Sequence, residues 1–110
     1  MTVPRAADAV VPPEKLTSYL LDVGHTVGGS KARFLRAHGF NETNADLLAT
    51  GLQAIVLSSA AVESASPFGT KYVVAGDLPT PRGTVVRMET VWIIETSEAR
   101  PRLVTAYPVA

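Results

Sequence analysis

The chain has 110 residues, no cysteine, and ten acidic against ten basic residues. This length predicts one domain with a single core, and the lack of cysteine excludes disulfides, thiolate nucleophiles and cysteine-bound metals. With two histidines, no segment of the roughly 18 apolar residues that a membrane span needs, and zero net charge, we expect a cytoplasmic protein without a metal, a cofactor or membrane contact.

The first helix is predicted after a flexible N-terminal arm. Residues 1–11 are expected to form this arm, and residues 12–110 a single α+β domain. Proline is tolerated in the first turn of a helix, so Pro12-Pro13 marks a helix start and the helix extends over residues 14–21. Three residues share one face of it at helical spacing: Leu16, Tyr19 and Leu20.

A glycine-rich bend over residues 22–29 separates this helix from a second one. Ser30 is predicted as the N-cap of a helix over residues 31–38, and Gly39 as the residue that ends it. A third helix is predicted from residue 44 to about residue 59, with Thr43 or Asn44 as its cap. Its apolar stripe comprises Leu47, Leu48, Leu52, Ile55 and Val56.

After Pro67 the apolar period changes from that of a helix to that of a strand. Three strands are predicted, over residues 70–75, 84–95 and 102–107, and residues 62–66 are a candidate for a fourth strand at the edge. The connections have hairpin lengths, which indicates an antiparallel meander. Helices followed by strands predict an α+β fold, with the helices on one face of a three- to four-stranded antiparallel sheet.

The register of the last strand decides which residues face each other. Alternate residues of the middle strand point to opposite faces of the sheet, so Thr90 lies on the apolar face and Arg87 on the polar face. A shift of one residue changes whether Thr105 and Tyr107 join Thr90 or Arg87. The sequence leaves both registers open.

The segment from Gly24 to Phe34 carries the strongest indication of function. An imidazole, His25, precedes a glycine-rich bend, and Lys31 and Arg33 follow at the start of the second helix. The N–H groups and the positive dipole at a helix start favour a phosphate or a carboxylate. These residues therefore predict an anion site.

Four motifs in this order resemble an uncharacterised bacterial domain family, whose members occur as small stand-alone proteins or as C-terminal modules of polymorphic toxins. The motifs are His25-Thr-Val-Gly-Gly-Ser-Lys-Ala-Arg-Phe34, Pro67-Phe-Gly-Thr-Lys-Tyr72, Thr90-Val-Trp-Ile-Ile-Glu95 and Arg102-Leu-Val-Thr-Ala-Tyr-Pro108. The layout is similar to the metal-independent ribonuclease superfamily that includes barnase, EndoU, colicin D and RelE-type toxins. The resemblance implies an RNA-cleaving toxin with a cognate antitoxin or immunity protein as partner.

Metal-free RNA cleavage needs a base for the ribose 2′-hydroxyl, an acid for the 5′-oxygen and donors for the phosphate. His25 is a candidate for the acid or the base because its ordinary pKa suits proton transfer at neutral pH. Lys31 is predicted to hold the phosphate, and the resemblance implies that Thr105, a hydroxyl on the last strand, completes the catalytic set. The predicted substrate-binding residues are Arg33, Tyr72, Arg87, Thr90 and Tyr107, with Tyr72 or Trp92 as a platform for a base.

Two other functions fit the same residues. A non-enzymatic module would use the helix start to bind an anion or a protein, and the neutral charge of the chain agrees with that reading. A degenerate toxin would keep the fold without activity. A basic cleft that brings His25, Lys31 and a strand hydroxyl together would favour the enzyme.

Overall fold

The computed structural model describes residues 1–24 and 29–109. Helix α1 (Pro13–Lys15) continues directly as a π-helical turn (Leu16–Leu20), and it is followed by α2 (Gly29–Ala37) and α3 (Ala45–Ser58). The strands are β1 (Ala61–Ser66), β2 (Gly69–Pro79), β3 (Val85–Glu95) and β4 (Arg102–Pro108). Short 3-10 turns, Ala6–Asp8 and Glu42–Asn44, precede α1 and α3.

The four strands form one antiparallel sheet in the order β1-β2-β3-β4. The predicted α+β class and meander are confirmed, and the candidate edge strand is present as β1. Strand β2 is longer than predicted because its pairing with β3 continues from Gly69 to Pro79. None of the described helices has the length and apolar content that a bilayer crossing requires.

Helix α3 packs on β2 at two glycines. A Cβ atom at Gly51 of α3 would lie 2.3 Å from Leu78 Cδ1, and one at Gly76 of β2 would lie 2.8 Å from Ile55 Cγ2. Each glycine therefore leaves the space that a large side chain of the other element fills. The buried face of the helix consists of Leu48, Leu52, Ile55 and Val56, as predicted.

Leu47 is an exception to the predicted apolar stripe. Its side chain is 52% exposed and lines a shallow apolar groove with Pro79 and Pro81. Leu48 occupies the sheet-facing position next to it and is fully buried. Because adjacent helical residues point in directions far apart, Leu47 faces outward when Leu48 faces the sheet.

The end of α2 follows the predicted pattern, but its start does not. Gly39 has φ +100°, and the N–H groups of Gly39 and Phe40 donate to the carbonyls of Arg36 and Leu35, which is the Schellman arrangement. Ser30 already lies inside α2, so it is not the N-cap residue. The residue before it, Gly29, leaves no room for a side chain, because a Cβ atom there would lie 2.6 Å from the Val23 carbonyl oxygen.

The first eleven residues, which we expected to form an arm, lie against the core. Val3 and Ala9 are buried, and Val10 forms a parallel bridge with Arg102 at the start of β4. The Ala61 N–H also donates to the Met1 carbonyl at 2.7 Å. The N-terminal segment therefore contacts the two outer strands of the sheet.

A buried hydroxyl joins β2 and β3 inside the core. Trp92 Nε1 donates to Thr90 Oγ1 at 2.8 Å, and Thr90 Oγ1 donates to the Val74 carbonyl at 2.7 Å. All three residues are fully buried. The Thr90 hydroxyl therefore gives the buried Trp92 N–H its acceptor and adds a hydrogen bond to a carbonyl of the sheet.

Replacement of Thr90 by valine tests this arrangement. Thr90→Val keeps the shape, but it leaves the Trp92 N–H without its acceptor and removes one hydrogen bond from the Val74 carbonyl. Because a buried polar group left unsatisfied costs about 1–3 kcal/mol, we expect the free energy of unfolding to fall by about 1–3 kcal/mol in urea denaturation. Thr50→Val, at an exposed position on α3, should change it by less than about 0.5 kcal/mol. Equal stability of the two variants would contradict the structural role of the Thr90 hydroxyl.

Candidate functional site

Two polar side chains from different elements of the fold contact the Tyr19 hydroxyl. Lys31 Nζ of α2 donates to Tyr19 Oη at 2.8 Å, and Thr105 Oγ1 of β4 lies 2.9 Å from the same oxygen. The three residues, Lys31, Tyr19 and Thr105, are half-buried. We call them the Tyr19 cluster.

The π-helical turn places Tyr19 between buried leucines. The Leu21 N–H donates to the Leu16 carbonyl at 2.8 Å, a bond across five residues that widens the turn. Leu16, Leu20 and Leu21 are buried in the core, and Tyr19 packs against it with its hydroxyl at the cluster. The predicted regular helix over residues 14–21 is therefore replaced, over most of its length, by a π-helical turn.

Arg36 ties α2 to the end of this turn. Its Nε donates to the Leu21 carbonyl at 2.9 Å, and its guanidinium also forms an ion pair with Glu42. The hydrogen bond from Arg36 lowers the pKa of the Glu42 carboxyl. Because Lys31 is on the same helix as Arg36, this contact helps to hold the Lys31 ammonium close to Tyr19.

An irregularity in β4 brings Thr105 to the cluster. Thr90 pairs with Ala106 and Val91 with Thr105, but Trp92 pairs with Leu103, so β4 has one extra residue at this point. Leu103 and Ala106 are both fully buried. Two residues three positions apart share the core face of a strand only across such a bulge. The Thr105 hydroxyl, at this bulge on an edge strand, reaches Tyr19.

The cluster has an excess of positive charge. Lys15 Nζ and Lys31 Nζ each lie 5.1 Å from the centroid of the Tyr19 ring. Among the described residues, the ion pairs within 4.0 Å all use arginine, and neither lysine takes part in one. Two ammonium groups without a carboxylate partner in the described part of the chain favour the binding of an anion.

The two lysines also change the acidity of the phenol. Burial raises the pKa of Tyr19, but hydrogen bonds with Lys31 and Thr105 and the charges of Lys31 and Lys15 outweigh it, so the net shift is downward from the ordinary value. The other two tyrosines shift the opposite way. Burial and the Glu63 charge raise the pKa of Tyr72, and a hydrogen bond with Glu89 raises that of Tyr107.

The structure brings together two of the three predicted catalytic residues. Lys31 and Thr105 both contact the Tyr19 hydroxyl. The third, His25, lies outside the described residues, as does part of the predicted glycine-rich bend. Arg33 is exposed on α2, two positions after Lys31.

The other predicted binding residues lie apart from the cluster. Tyr72 is 5% exposed and pairs with Trp92 in the core, and Thr90 is fully buried, so neither side chain is placed to meet a ligand. Trp92 is likewise buried and is not a stacking platform. Arg87 forms an exposed ion pair with its cross-strand neighbour Asp77 at 3.2 Å.

The register of β4 decides whether Thr105 and Tyr107 join Thr90 or Arg87, which the sequence left open. Tyr107 lies opposite Glu89 and Thr105 opposite Val91, so both join the strand positions of Arg87 and not those of Thr90. Its cross-strand neighbour Glu89 raises the pKa of Tyr107. The structure therefore separates Tyr107 from the Tyr19 cluster in its contacts, although Thr105 is only two residues away.

The sequence indicated Tyr19 only as a residue on the apolar face of a helix. Its hydroxyl contacts depend on the π-helical turn and on the bulge in β4, and neither has a local sequence signal. One feature of the sequence did point to these contacts. A tyrosine on an apolar face carries a polar hydroxyl, and a buried phenol normally finds a hydrogen-bond partner.

Metal ligands do not converge in the described part of the chain. Within residues 1–24 and 29–109, no group of three histidine, aspartate or glutamate side chains comes together as a metal site would require. The polar groups of the Tyr19 cluster are an ammonium and two hydroxyls, which suit an anion and not a cation.

The opposite shifts of the three tyrosines predict an ordered titration. As the pH rises, Tyr19 should ionise first, and the lowest-pH step in the phenolate absorbance should disappear in Tyr19→Phe. Lys31→Met should move this step to higher pH because it removes the ammonium that stabilises the phenolate. Lys71→Met, which alters a lysine on β2, should leave it unchanged. A lowest-pH step that survives in Tyr19→Phe would contradict this assignment.

The chain matches the sequence profile of a domain of unknown function, DUF6883, over residues 2–110. No curated protein matches the chain. Its fold is similar to that of a chain in a contact-dependent growth inhibition toxin–immunity protein complex from Klebsiella pneumoniae 342. The TM-score is 0.74 and the identity 16%, over 96% of this chain and 97% of that one, so the likeness is one of fold. Because the profile covers nearly the whole sequence, the chain belongs to the DUF6883 family.

Proposed function

We propose that this protein is a toxin-like domain that cleaves RNA without a metal ion. The observation that carries the proposal is the Tyr19 cluster, in which an ammonium and two hydroxyls converge at one point between the helices and an edge strand. A hydrogen-bonded ammonium with no carboxylate partner among the described residues is suited to a phosphate.

The proposed reaction is attack of the ribose 2′-hydroxyl on the adjacent phosphate. Lys31 binds a non-bridging phosphate oxygen and stabilises the charge that develops there, and Thr105 donates a second hydrogen bond. His25 is the proposed proton-transfer residue, since an imidazole exchanges protons near neutral pH. Arg33, exposed on the same helix as Lys31, is proposed to contact a neighbouring phosphate of the RNA.

The toxin-like character rests on the fold. A chain with this fold occurs in a complex of a growth-inhibition toxin and its immunity protein. We infer that RNA in the cytoplasm is the substrate and that an immunity protein or antitoxin is the partner. The similarity to barnase, EndoU, colicin D and RelE-type ribonucleases belongs to the same proposal.

A non-enzymatic module that binds an anion is the second candidate. The zero net charge of the chain favours it, because most of the RNA affinity of a protein comes from positive charge. The same cluster would then bind a phosphate or a carboxylate without reaction. A degenerate toxin would give the same result.

Incubation of the purified protein with total RNA and with tRNA in EDTA separates these candidates. We expect cleavage that leaves 2′,3′-cyclic phosphate ends. His25→Ala and Lys31→Ala should each lower the rate by about 100-fold or more, because loss of a proton-transfer group or of a charge-stabilising donor has effects of this size.

Lys71→Ala, which removes a lysine from β2, is the matched control and should leave the rate within about twofold. Thermal unfolding of each variant establishes that it is folded. Intact RNA with the wild-type protein would contradict the nuclease and favour the binding module. Full activity of a folded His25→Ala would remove that residue from the mechanism.

A further inference from the structure

We propose that Tyr19 is the general acid of the reaction and donates its hydroxyl proton to the departing 5′-oxygen. The inference rests on the proposed function and assigns a role to a residue that the sequence did not single out. It leaves the role of general base to His25.

The direction of the hydrogen bonds makes the phenol a donor toward substrate. An ammonium has only donors, so the Tyr19 oxygen accepts in its 2.8 Å bond with Lys31. The phenolic proton is then directed elsewhere, and Thr105 Oγ1 at 2.9 Å can accept it while substrate is absent. A leaving oxygen that approaches this side of the cluster would take the place of Thr105 as acceptor.

The surroundings of Tyr19 stabilise the anion that proton donation produces. The Lys31 ammonium is hydrogen-bonded to the oxygen that becomes negative, and a second ammonium, Lys15 Nζ, lies 5.1 Å from the ring centroid. The same contacts lower the pKa of Tyr19 from its ordinary value, despite the opposing effect of burial. An acid whose pKa lies closer to the working pH transfers its proton more readily.

Atoms and charges balance in a single displacement. The 2′-oxygen forms a bond to phosphorus while the bond from phosphorus to the 5′-oxygen breaks. The 2′-hydroxyl loses its proton to His25, and the 5′-oxygen receives the Tyr19 proton. The products are a 2′,3′-cyclic phosphate and a 5′-hydroxyl, and Tyr19 regains its proton from solvent.

A role for Tyr19 that is only structural has a different signature. If the hydroxyl only held Lys31 and Thr105 in place, its removal would impair cleavage of every substrate alike. A general acid matters only when the leaving group needs a proton. Sulfur in place of the bridging 5′-oxygen leaves as a thiolate, for which protonation is not required because a thiol is much more acidic than an alcohol.

The test compares two RNA oligonucleotides, one with an ordinary 5′-oxygen at the cleaved bond and one with sulfur there. Tyr19→Phe should cleave the oxygen substrate at least about 100-fold more slowly than wild type and the sulfur substrate within a fewfold of wild type. Lys31→Ala should be impaired on both substrates, since it removes phosphate stabilisation. Equal rates of Tyr19→Phe and wild type on the oxygen substrate, or equal impairment on both substrates, would overturn the proposal.

The wild-type protein supplies a second readout that does not depend on how the variant folds. With the oxygen substrate, the rate should fall at high pH as Tyr19 loses its proton. With the sulfur substrate, this fall should be absent. An identical fall with both substrates would overturn the role of Tyr19 and leave the nuclease intact, whereas failure of wild type to cleave either substrate would overturn the nuclease itself.

Discussion

The hydrogen bonds of the Tyr19 hydroxyl connect two parts of the fold that are far apart in the sequence. Thr105 lies 86 positions from Tyr19, and Lys31 lies 12 positions from it. The phenol is half-buried, so its oxygen needs partners, and an ammonium and a hydroxyl provide them. The π-helical turn, α2 and the edge strand β4 therefore meet at the Tyr19 cluster, where there is also an excess of positive charge.

The packing of the surrounding elements holds the Tyr19 cluster in place. Leu20 and Leu21 are buried at the end of the π-helical turn, and Arg36 of α2 donates to the carbonyl of Leu21, the residue that follows the turn. On the other side, the bulge in β4 keeps Leu103 in the core while Thr105 contacts Tyr19. A site built on packed elements keeps its geometry better than one built on loops, which is what a preorganised phosphate site requires.

The sequence predicted what depends on local pattern. Hydrophobic period and turn residues gave the α+β class, the order of the elements and the Schellman end of α2 at Gly39. Features that depend on long-range packing were missed or left open: the π-helical turn, the outward position of Leu47 and the register of β4. Lys31 was chosen from its place at the start of a helix and Thr105 from a family resemblance, whereas Tyr19, which joins them, was assigned only to an apolar face. A phenol that bridges two distant elements leaves no periodic signal in the chain.

A crystal structure of the protein with a short RNA that carries a 2′-deoxy substitution at the cleaved position tests the central claim most directly. The substitution removes the attacking hydroxyl, so the RNA stays intact. A phosphate at the Tyr19 cluster, with a non-bridging oxygen within hydrogen-bond distance of Lys31 Nζ and the 5′-oxygen facing Tyr19 Oη, is the expected result. RNA bound only elsewhere, with the Lys31–Tyr19–Thr105 contacts unchanged and no phosphate beside them, would contradict it.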